Sequence, residues 1–335
     1  MPRQKADRLR LVAGLLVLVM CGCAGAPASG TGPATVPETA PDDAGIAAPA
    51  AGATGEPGPR FEQLATVDHA GVSQITVAYP SGGLTVQGFL FLPEGTGAGP
   101  AVIFNHGGVS GVSADMKRRS VDLARLGYVV LTPSYRGEDG SEGVVEVAAG
   151  EVDDVLAAAE ILSRHPRVDA SRIAVTGSSH GALISVLAAA REPDRFRCVV
   201  EACGVMDVVA WYRYLVENDF DVSDSLSVAV YGHGPEDKPE AFRIRSAVRV
   251  ADRIRVPVLI QQGRADRIVP PEQARVFAQA LRDAGHDDVV LREYPLLGHA
   301  FWFWNDPRYH TAAEILEADT AWNDFTAFLA EYLKP

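Results

Sequence analysis

Residues 172–184 contain a serine in a setting that is typical of an activated nucleophile. Gly177, Ser179 and Gly181 have the spacing G-x-S-x-G, with β-forming residues before the motif and an apolar helical pattern after it. The sharp strand–turn–helix that this pattern predicts leaves no room for bulk at the two glycines and lifts the serine hydroxyl above the edge of a sheet. We therefore expect Ser179 to act as a nucleophile.

A serine hydroxyl is a poor nucleophile at neutral pH and needs a general base. His299 is the candidate because it follows the last predicted strand, and Gly298 before it suits a sharp turn that aims the ring. The alternative is a loop histidine that takes no part in catalysis.

The base in turn needs a carboxylate that holds its tautomer and stabilises the imidazolium. Asp266 follows the predicted strand 256–261 and is the candidate, with Asp207 in reserve. Alternatively, Asp266 is a solvated partner of Arg264 or Arg267. The order Ser, Asp, His along the chain is the order expected of α/β-hydrolases.

Acyl transfer also needs two N–H donors for the developing oxyanion. The backbone N–H of His180 lies at the predicted helix N-terminus and is the first candidate, while its side chain is expected to pack or to line a pocket. The second donor is expected at Gly108, with Val109 next, because glycines after the buried strand 100–104 allow close approach to a substrate. The alternative is that these glycines form only a turn.

Four aromatic side chains are candidates for the walls of an apolar substrate pocket. Trp211 and Tyr214 lie in the segment 205–250, and Phe301 and Trp302 closely follow the candidate base. Packing in the hydrophobic core is the alternative for all four side chains.

Strands that alternate with helices must position these residues. Apolar runs and helical periods alternate from a hairpin at 72–92 to a last helix at 311–333. This alternation predicts a single α/β domain at 61–335, with a mostly parallel central sheet and helices on both faces. The alternation breaks at 205–250, which we interpret as a small helical insertion over the active site. Such sheets bind ligands at the carboxyl ends of their strands, where the candidate residues lie.

The N-terminal segment is expected to direct export of the protein and not to form part of the folded domain. Residues 1–23 have a basic start, a short apolar core and a small residue before Cys23, as in a lipoprotein signal. Cys23 is therefore the candidate for lipidation, and a simply cleaved secretory signal is the alternative. Residues 24–60 are rich in Ala, Gly and Pro and are expected to form a disordered tether. The protein is thus expected to be exported, either as a membrane-anchored lipoprotein or as a periplasmic or secreted protein.

Charge and cysteine usage exclude several kinds of partner. The net charge of −13 argues against nucleic acid and anionic membrane surfaces, so a membrane is expected to be contacted only through the N-terminal lipid. No Cys or His cluster has metal-ligand spacing, and neither a metal nor another cofactor is expected. Cys198 and Cys203 lie at an odd offset along one predicted strand, which points them to opposite faces and favours two buried free thiols.

Five segments together resemble the catalytic domain of the prolyl oligopeptidase family, within the α/β-hydrolase superfamily. The similarity runs from about Gly99 to the C-terminus. It implies an α/β-hydrolase fold, Ser179 as nucleophile with Asp266 and His299 as its partners, and an oxyanion donor near Gly108. The segments are residues 106–108, 135–137, 173–181, 263–270 and 298–299.

One departure from the family leaves the substrate open. Peptidases of the family usually carry a β-propeller before the catalytic domain, whereas a signal, a tether and a hairpin precede it here. We expect a serine hydrolase that cleaves short peptide amides or small carboxylic esters through an acyl-enzyme on Ser179. A dedicated carboxylesterase or a dienelactone-hydrolase-like enzyme is the alternative. A non-catalytic, surface-anchored binding module and a metal-dependent hydrolase are the remaining classes.

Overall fold

A single sheet of nine strands organises the part of the chain that the structure, a computed structural model, describes: residues 60–334. The strands are β1 (Glu62–Asp68), β2 (Val72–Ser81), β3 (Leu84–Pro93), β4 (Gly99–Asn105), β5 (Val129–Ser134), β6 (Val168–Ser178), β7 (Cys198–Ala202), β8 (Val258–Gly263) and β9 (Val289–Tyr294). Their order in the sheet is β1-β2-β3-β5-β4-β6-β7-β8-β9.

Helices connect most of these strands. The α-helices of the described residues are α1 (Ala114–Arg125), α2 (Gly150–Ser163), α3 (His180–Arg191), α4 (Val208–Glu217), α5 (Ser225–Tyr231), α6 (Pro239–Arg243), α7 (Glu272–Asp283) and α8 (Ala312–Leu333). Two short 3-10 helices cover Ala247–Arg253 and Phe301–Phe303.

The direction of the strands brings one set of strand ends to a common edge. β2 runs antiparallel to both β1 and β3, and β3 runs antiparallel to β5. From β5 through β4, β6, β7 and β8 to β9, every neighbouring pair is parallel. The expected α/β-hydrolase fold with a mostly parallel sheet is therefore confirmed. The carboxyl ends of these six strands lie along one edge, as a parallel sheet requires.

Hydrophobic layers cover both faces of the central strands. Side chains on β4 alternate between the two layers: Ile103 packs with α2, α3 and α7, whereas Val102 packs with α1 and α8. Both side chains have no exposed surface, which explains the continuous apolar run of this strand in the sequence.

The sequence predicted the hairpin and the helical segment 205–250, but not the first strand. The hairpin of β2 and β3 is confirmed, and so is the helical character of the segment 205–250, which contains α4, α5 and α6. β1 was not expected. All of its residues are exposed, so its sequence lacks the apolar alternation that signals a half-buried strand.

The predicted signal at 1–23, the lipidation candidate Cys23 and nearly all of the predicted tether at 24–60 lie outside the described residues. Within residues 60–334, the helices are either too short or too polar to cross a bilayer.

A buried ion pair joins α2 to the end of β5 and to the hairpin. The Asp154 carboxylate has no exposed surface, and it accepts hydrogen bonds from the Arg136 guanidinium (2.9 and 3.1 Å) and backbone N–H (2.9 Å). Ser81 Oγ donates a further bond of 2.6 Å to the same carboxylate. Removing one member would leave the other charge buried without its partner.

We expect Arg136→Met to lower the free energy of unfolding by roughly 3–5 kcal/mol, because the Asp154 carboxylate would lose its compensating charge. The matched control is Arg118→Met, whose partner Asp115 lies in an exposed pair of the kind that contributes less than about 1 kcal/mol. Urea titrations followed by circular dichroism measure both values. Equal losses in the two variants would contradict the structural role of the buried pair.

Candidate active site

Ser179 lies in a sharp turn between β6 and α3, with backbone angles φ 57° and ψ −120°. Non-glycine residues rarely adopt a positive φ, and such strain persists only where the surroundings enforce it. The turn leaves no space at its flanks. A Cβ atom at Gly177 would overlap the backbone of Gly181, and one at Gly181 would overlap the carbonyl groups of Asn105 and His106. The two glycines are therefore sterically required.

The structure brings the three widely separated candidates for nucleophile, base and acid into direct contact. His299 Nε2 lies 2.9 Å from Ser179 Oγ, and His299 Nδ1 lies 2.8 Å from Asp266 Oδ2. The arrangement can accept a proton from the serine hydroxyl at Nε2 while the carboxylate holds the Nδ1–H tautomer.

Backbone and side-chain donors fix the Asp266 carboxylate. Its Oδ1 atom accepts hydrogen bonds from the backbone N–H groups of Ile268 (2.8 Å) and Val269 (2.9 Å). Oδ2 faces the imidazole and receives a longer contact of 3.4 Å from Gln262 Nε2. Asp207, the reserve acid, instead caps α4, where its Oδ1 accepts the N–H of Ala210.

Two of the predicted pocket residues brace the loop that carries Asp266. Trp211 is buried, and its Nε1–H donates to the carbonyl of Ile268 (2.9 Å). Tyr214 is half-buried, and its hydroxyl donates to the carbonyl of Arg267 (2.8 Å). Both side chains extend from α4 in the helical insertion. The two side chains therefore stabilise the loop that carries Asp266. Their expected role in substrate binding stays a prediction.

The other two predicted pocket residues pack in the core. Phe301 and Trp302 have no exposed surface. Trp302 stacks on Phe325 with ring centroids 4.6 Å apart, and its Nε1–H donates to Gln261 Oε1 (2.8 Å). Their positions agree with the core-packing alternative. Trp304 instead stabilises the loop that carries His299, because its Nε1–H donates a hydrogen bond to the carbonyl of His299 (3.1 Å).

The loop after β4 lies against the nucleophile. A Cβ atom at Gly107 would lie 3.2 Å from Ser179 Cβ, so only a glycine permits this approach without a shift of the neighbouring chain. Gly108 follows with φ 76°, and its carbonyl accepts a hydrogen bond from His180 Nδ1 (2.8 Å). The backbone N–H of His180 is at the first position of α3, where no intrahelical acceptor exists. The candidate oxyanion donors thus lie on two segments that one hydrogen bond connects.

Cys203 lies in the same site, although the sequence did not predict this position. Its Sγ lies 3.4 Å from Ser178 Oγ, and Sγ, an Asp266 oxygen and a His299 nitrogen lie within 4.8 Å of one another. Cys203 directly follows β7, so the rule that sites form at carboxyl ends of strands was the available signal. This group of ligand atoms is the one in the described residues that could hold a metal ion, although its carboxylate and imidazole already bind each other.

Cys198 and Cys203 are both free and buried, as expected. The expectation that they face opposite sides of the sheet is wrong, because both pack in the layer of α1 and α8. The alternation of a strand does not extend to Cys203, which lies beyond the end of β7 with φ 45°.

Electrostatic surroundings favour the charged form of His299. Burial by itself lowers the pKa of this imidazole, but neighbouring Cys203 and Asp266 raise it, and the net pKa stands well above its ordinary value. A base with a raised pKa becomes neutral, and so able to accept a proton, only at higher pH.

Comparison with known proteins identifies relatives of this chain. Residues 115–333 match the model of the prolyl oligopeptidase family. A protein of Bacillus subtilis named as an uncharacterized peptidase is 29% identical over 68% of this chain and 86% of its own length. The human acylamino-acid-releasing enzyme is 28% identical over 60% of this chain, but the match covers only 28% of that enzyme.

Solved structures share the fold at lower identity. An acylaminoacyl peptidase of Pyrococcus horikoshii superposes with a TM-score of 0.62 at 22% identity, over 82% of this chain and 42% of that one. An acetyl xylan esterase of Paenibacillus sp. R4 gives a TM-score of 0.63 at 18% identity, over 82% of this chain and 89% of that one.

We expect the imidazole of His299 to titrate with a pKa above the ordinary value of about 6.5, and Asp266→Asn to lower that pKa because the neighbouring anion is lost. Nitrogen-15 NMR of the histidine rings measures both values. Asp207→Asn is the control, since asparagine also caps helices and Asp207 caps α4. A His299 pKa that is unchanged by Asp266→Asn would contradict the observed contact.

Proposed function

The chain belongs to the prolyl oligopeptidase family, and we propose that it is a serine hydrolase that forms an acyl-enzyme on Ser179. The observation that carries this proposal is the hydrogen-bonded series Ser179–His299–Asp266 at the carboxyl edge of the sheet. The strained backbone at Ser179 supports it further, because such strain concentrates at functional sites.

In the proposed reaction, Ser179 Oγ attacks the substrate carbonyl while His299 Nε2 accepts the hydroxyl proton. The carbonyl oxygen becomes an oxyanion, which the backbone N–H groups of Gly108 and His180 stabilise. When the tetrahedral intermediate collapses, the imidazolium returns the proton to the leaving alcohol or amine. A water molecule, deprotonated by His299, then attacks the acyl-enzyme and releases the acid and free Ser179.

We further propose that the substrates are short peptide amides or small carboxylic esters. The relatives named as a peptidase and as acylamino-acid-releasing enzymes support cleavage of peptide-like amides. The chain spans only about a quarter of the length of the acylamino-acid-releasing enzymes, so the activity of those whole enzymes is not carried over to it. The expected partner is a small molecule rather than a nucleic acid, and Cys23 is the proposed lipid anchor of an exported protein.

The alternative is a carboxylesterase, or a dienelactone-hydrolase-like enzyme, without peptidase activity. Structural neighbours named as acetyl xylan esterases and as a putative dienelactone hydrolase share this fold over most of their own length. A non-catalytic binding module would have no use for the contact between His299 and Ser179, which argues against that class.

We expect a fluorophosphonate probe to label the protein, and Ser179→Ala to abolish the labelling, because the probe reacts with a serine that a base activates. The neighbouring variant Ser178→Ala is the control and should still be labelled. Mass spectrometry of the modified peptide identifies the site. A folded wild-type protein that remains unlabelled would favour the binding module.

A substrate panel distinguishes the two catalytic alternatives. We expect aryl esters of short acids and aminoacyl or N-acylaminoacyl anilides both to be hydrolysed, since one acyl-enzyme mechanism serves both leaving groups. Release of the aryl alcohol or aniline is followed by absorbance, with Ser179→Ala as the background. Hydrolysis of the esters alone would support the dedicated carboxylesterase.

A further inference from the structure

Three successive carbonyl groups of the loop after β4 are hydrogen-bonded to buried ring side chains. The hydroxyl of Tyr135 donates to the carbonyl of His106 (3.1 Å). The ring of His106 contacts the next carbonyl, that of Gly107, through Nδ1 (2.9 Å). The ring of His180 contacts the carbonyl after that, that of Gly108, also through Nδ1 (2.8 Å).

The three rings pack against one another. His106 stacks on Tyr135 with centroids 4.3 Å apart and an angle of 24° between the planes. Tyr135 meets His180 edge to face, with centroids 6.0 Å apart. All three residues are buried. We call Tyr135, His106 and His180 the three-ring cluster.

The protonation of both imidazoles follows from their acceptors. A carbonyl oxygen can only accept a hydrogen bond, so Nδ1 of each ring must carry a proton. His180 is neutral, because burial lowers its pKa to about 4, and its unprotonated Nε2 is buried without a hydrogen-bond partner in the described residues.

Glu138 supplies the second contact of His106. Its Oε2 lies 3.0 Å from His106 Nε2, and both side chains are 3% exposed. Burial lowers the pKa of His106, but the Glu138 carboxylate outweighs burial and raises it overall. The ring is thus hydrogen-bonded to the Gly107 carbonyl at Nδ1, whereas Nε2 has a close ionic contact with the carboxylate that lacks hydrogen-bond geometry.

Holding a carbonyl also holds the N–H group of the following residue. The peptide unit is planar, and in its trans form the C=O and N–H bonds point in opposite directions. The described residues contain no cis peptide bond. The bond to the Gly107 carbonyl therefore sets the direction of the Gly108 N–H, and the bond to the Gly108 carbonyl sets that of the Val109 N–H.

Gly107 and Gly108 have no side chains of their own to do this. Gly107 must approach Ser179 closely, and Gly108 has a positive φ, so neither position tolerates a packing side chain without a shift. Glycine pairs are flexible in isolation. The three-ring cluster supplies the constraint that the glycines themselves lack.

We propose that the three-ring cluster consists of positioning residues of the oxyanion hole, and that the His106 ring, through its bond to the Gly107 carbonyl, aims the Gly108 N–H at the developing oxyanion. This inference rests on the proposed function. It assigns to His106 a role that acts through the backbone rather than through contact with the reacting atoms.

A pair of variants at His106 separates the two contacts of its ring. His106→Asn keeps a donor near the position of Nδ1, so the bond to the Gly107 carbonyl can persist while the contact with Glu138 is lost. His106→Gln places its amide near the position of Nε2, so it can reach Glu138 but not the Gly107 carbonyl. We expect only the second variant to release the Gly108 N–H.

The readout is the ratio of kcat/KM for an aryl ester to that for its thionoester. Sulfur accepts hydrogen bonds poorly, so hydrolysis of the thionoester depends little on the oxyanion donors. For His106→Gln we expect kcat/KM of the ester to fall by roughly 10²-fold, comparable to the loss of one donor, through kcat rather than KM. The thionoester should be nearly unaffected, and His106→Asn should keep the wild-type ratio.

Tyr135→Phe provides a second test, because it removes one hydroxyl and keeps both ring contacts. We expect a selective loss on the ester of roughly 3- to 10-fold, the value of one net hydrogen bond. Glu142→Gln, at an exposed position of the segment after β5 that also contains Tyr135, is the control and should leave both rates unchanged.

Each result decides for or against the inference. Ester and thionoester rates that fall equally in His106→Gln and Tyr135→Phe would show a general structural role and overturn it, as would a wild-type ratio in both variants. If the wild-type protein hydrolyses neither aryl esters nor anilides, the proposed function fails, and the inference fails with it.

Discussion

The left-handed backbone at Ser179 is the constraint on which the rest of the site depends. A residue held at such angles costs of order 1–3 kcal/mol, and the fold must supply that free energy elsewhere. It does so by close approach: Gly177 and Gly181 allow the strand, the helix and the end of β4 to meet without side chains between them. The loop that contains Gly107 also packs closely against Ser179, because this glycine has no side chain. The same packing therefore positions both the nucleophile and the candidate oxyanion donors.

Residues far from the reaction centre hold the acid and the base. The acid loop is tied to α4 through Trp211 and Tyr214, and the base loop is tied down by Trp304. Aromatic residues suit this task because one side chain combines a large packed surface with a directed N–H or O–H group. The helical insertion therefore contributes to the geometry of the site through Asp266.

Three histidines near the same edge of the sheet differ in protonation because their surroundings differ. The His180 ring is hydrogen-bonded to the Gly108 carbonyl, and burial lowers its pKa to about 4. His106 is buried and His299 is partly exposed, yet the pKa of each ring is raised: Glu138 raises that of His106, and Cys203 and Asp266 raise that of His299. A carboxylate in direct contact with the ring thus distinguishes His106 and His299, whose pKa values are raised, from His180, whose pKa is lowered.

The sequence by itself determined the α/β class, most strands and helices, and the three residues that meet at the site, because hydrophobic periodicity and strand-end motifs are local signals. It left open which aromatics line a pocket and which pack in the core, and Trp302 proved to be buried. It also missed Cys203 beside His299 and the contact of Glu138 with His106. Those contacts join segments tens of residues apart, so only the tertiary packing decides them.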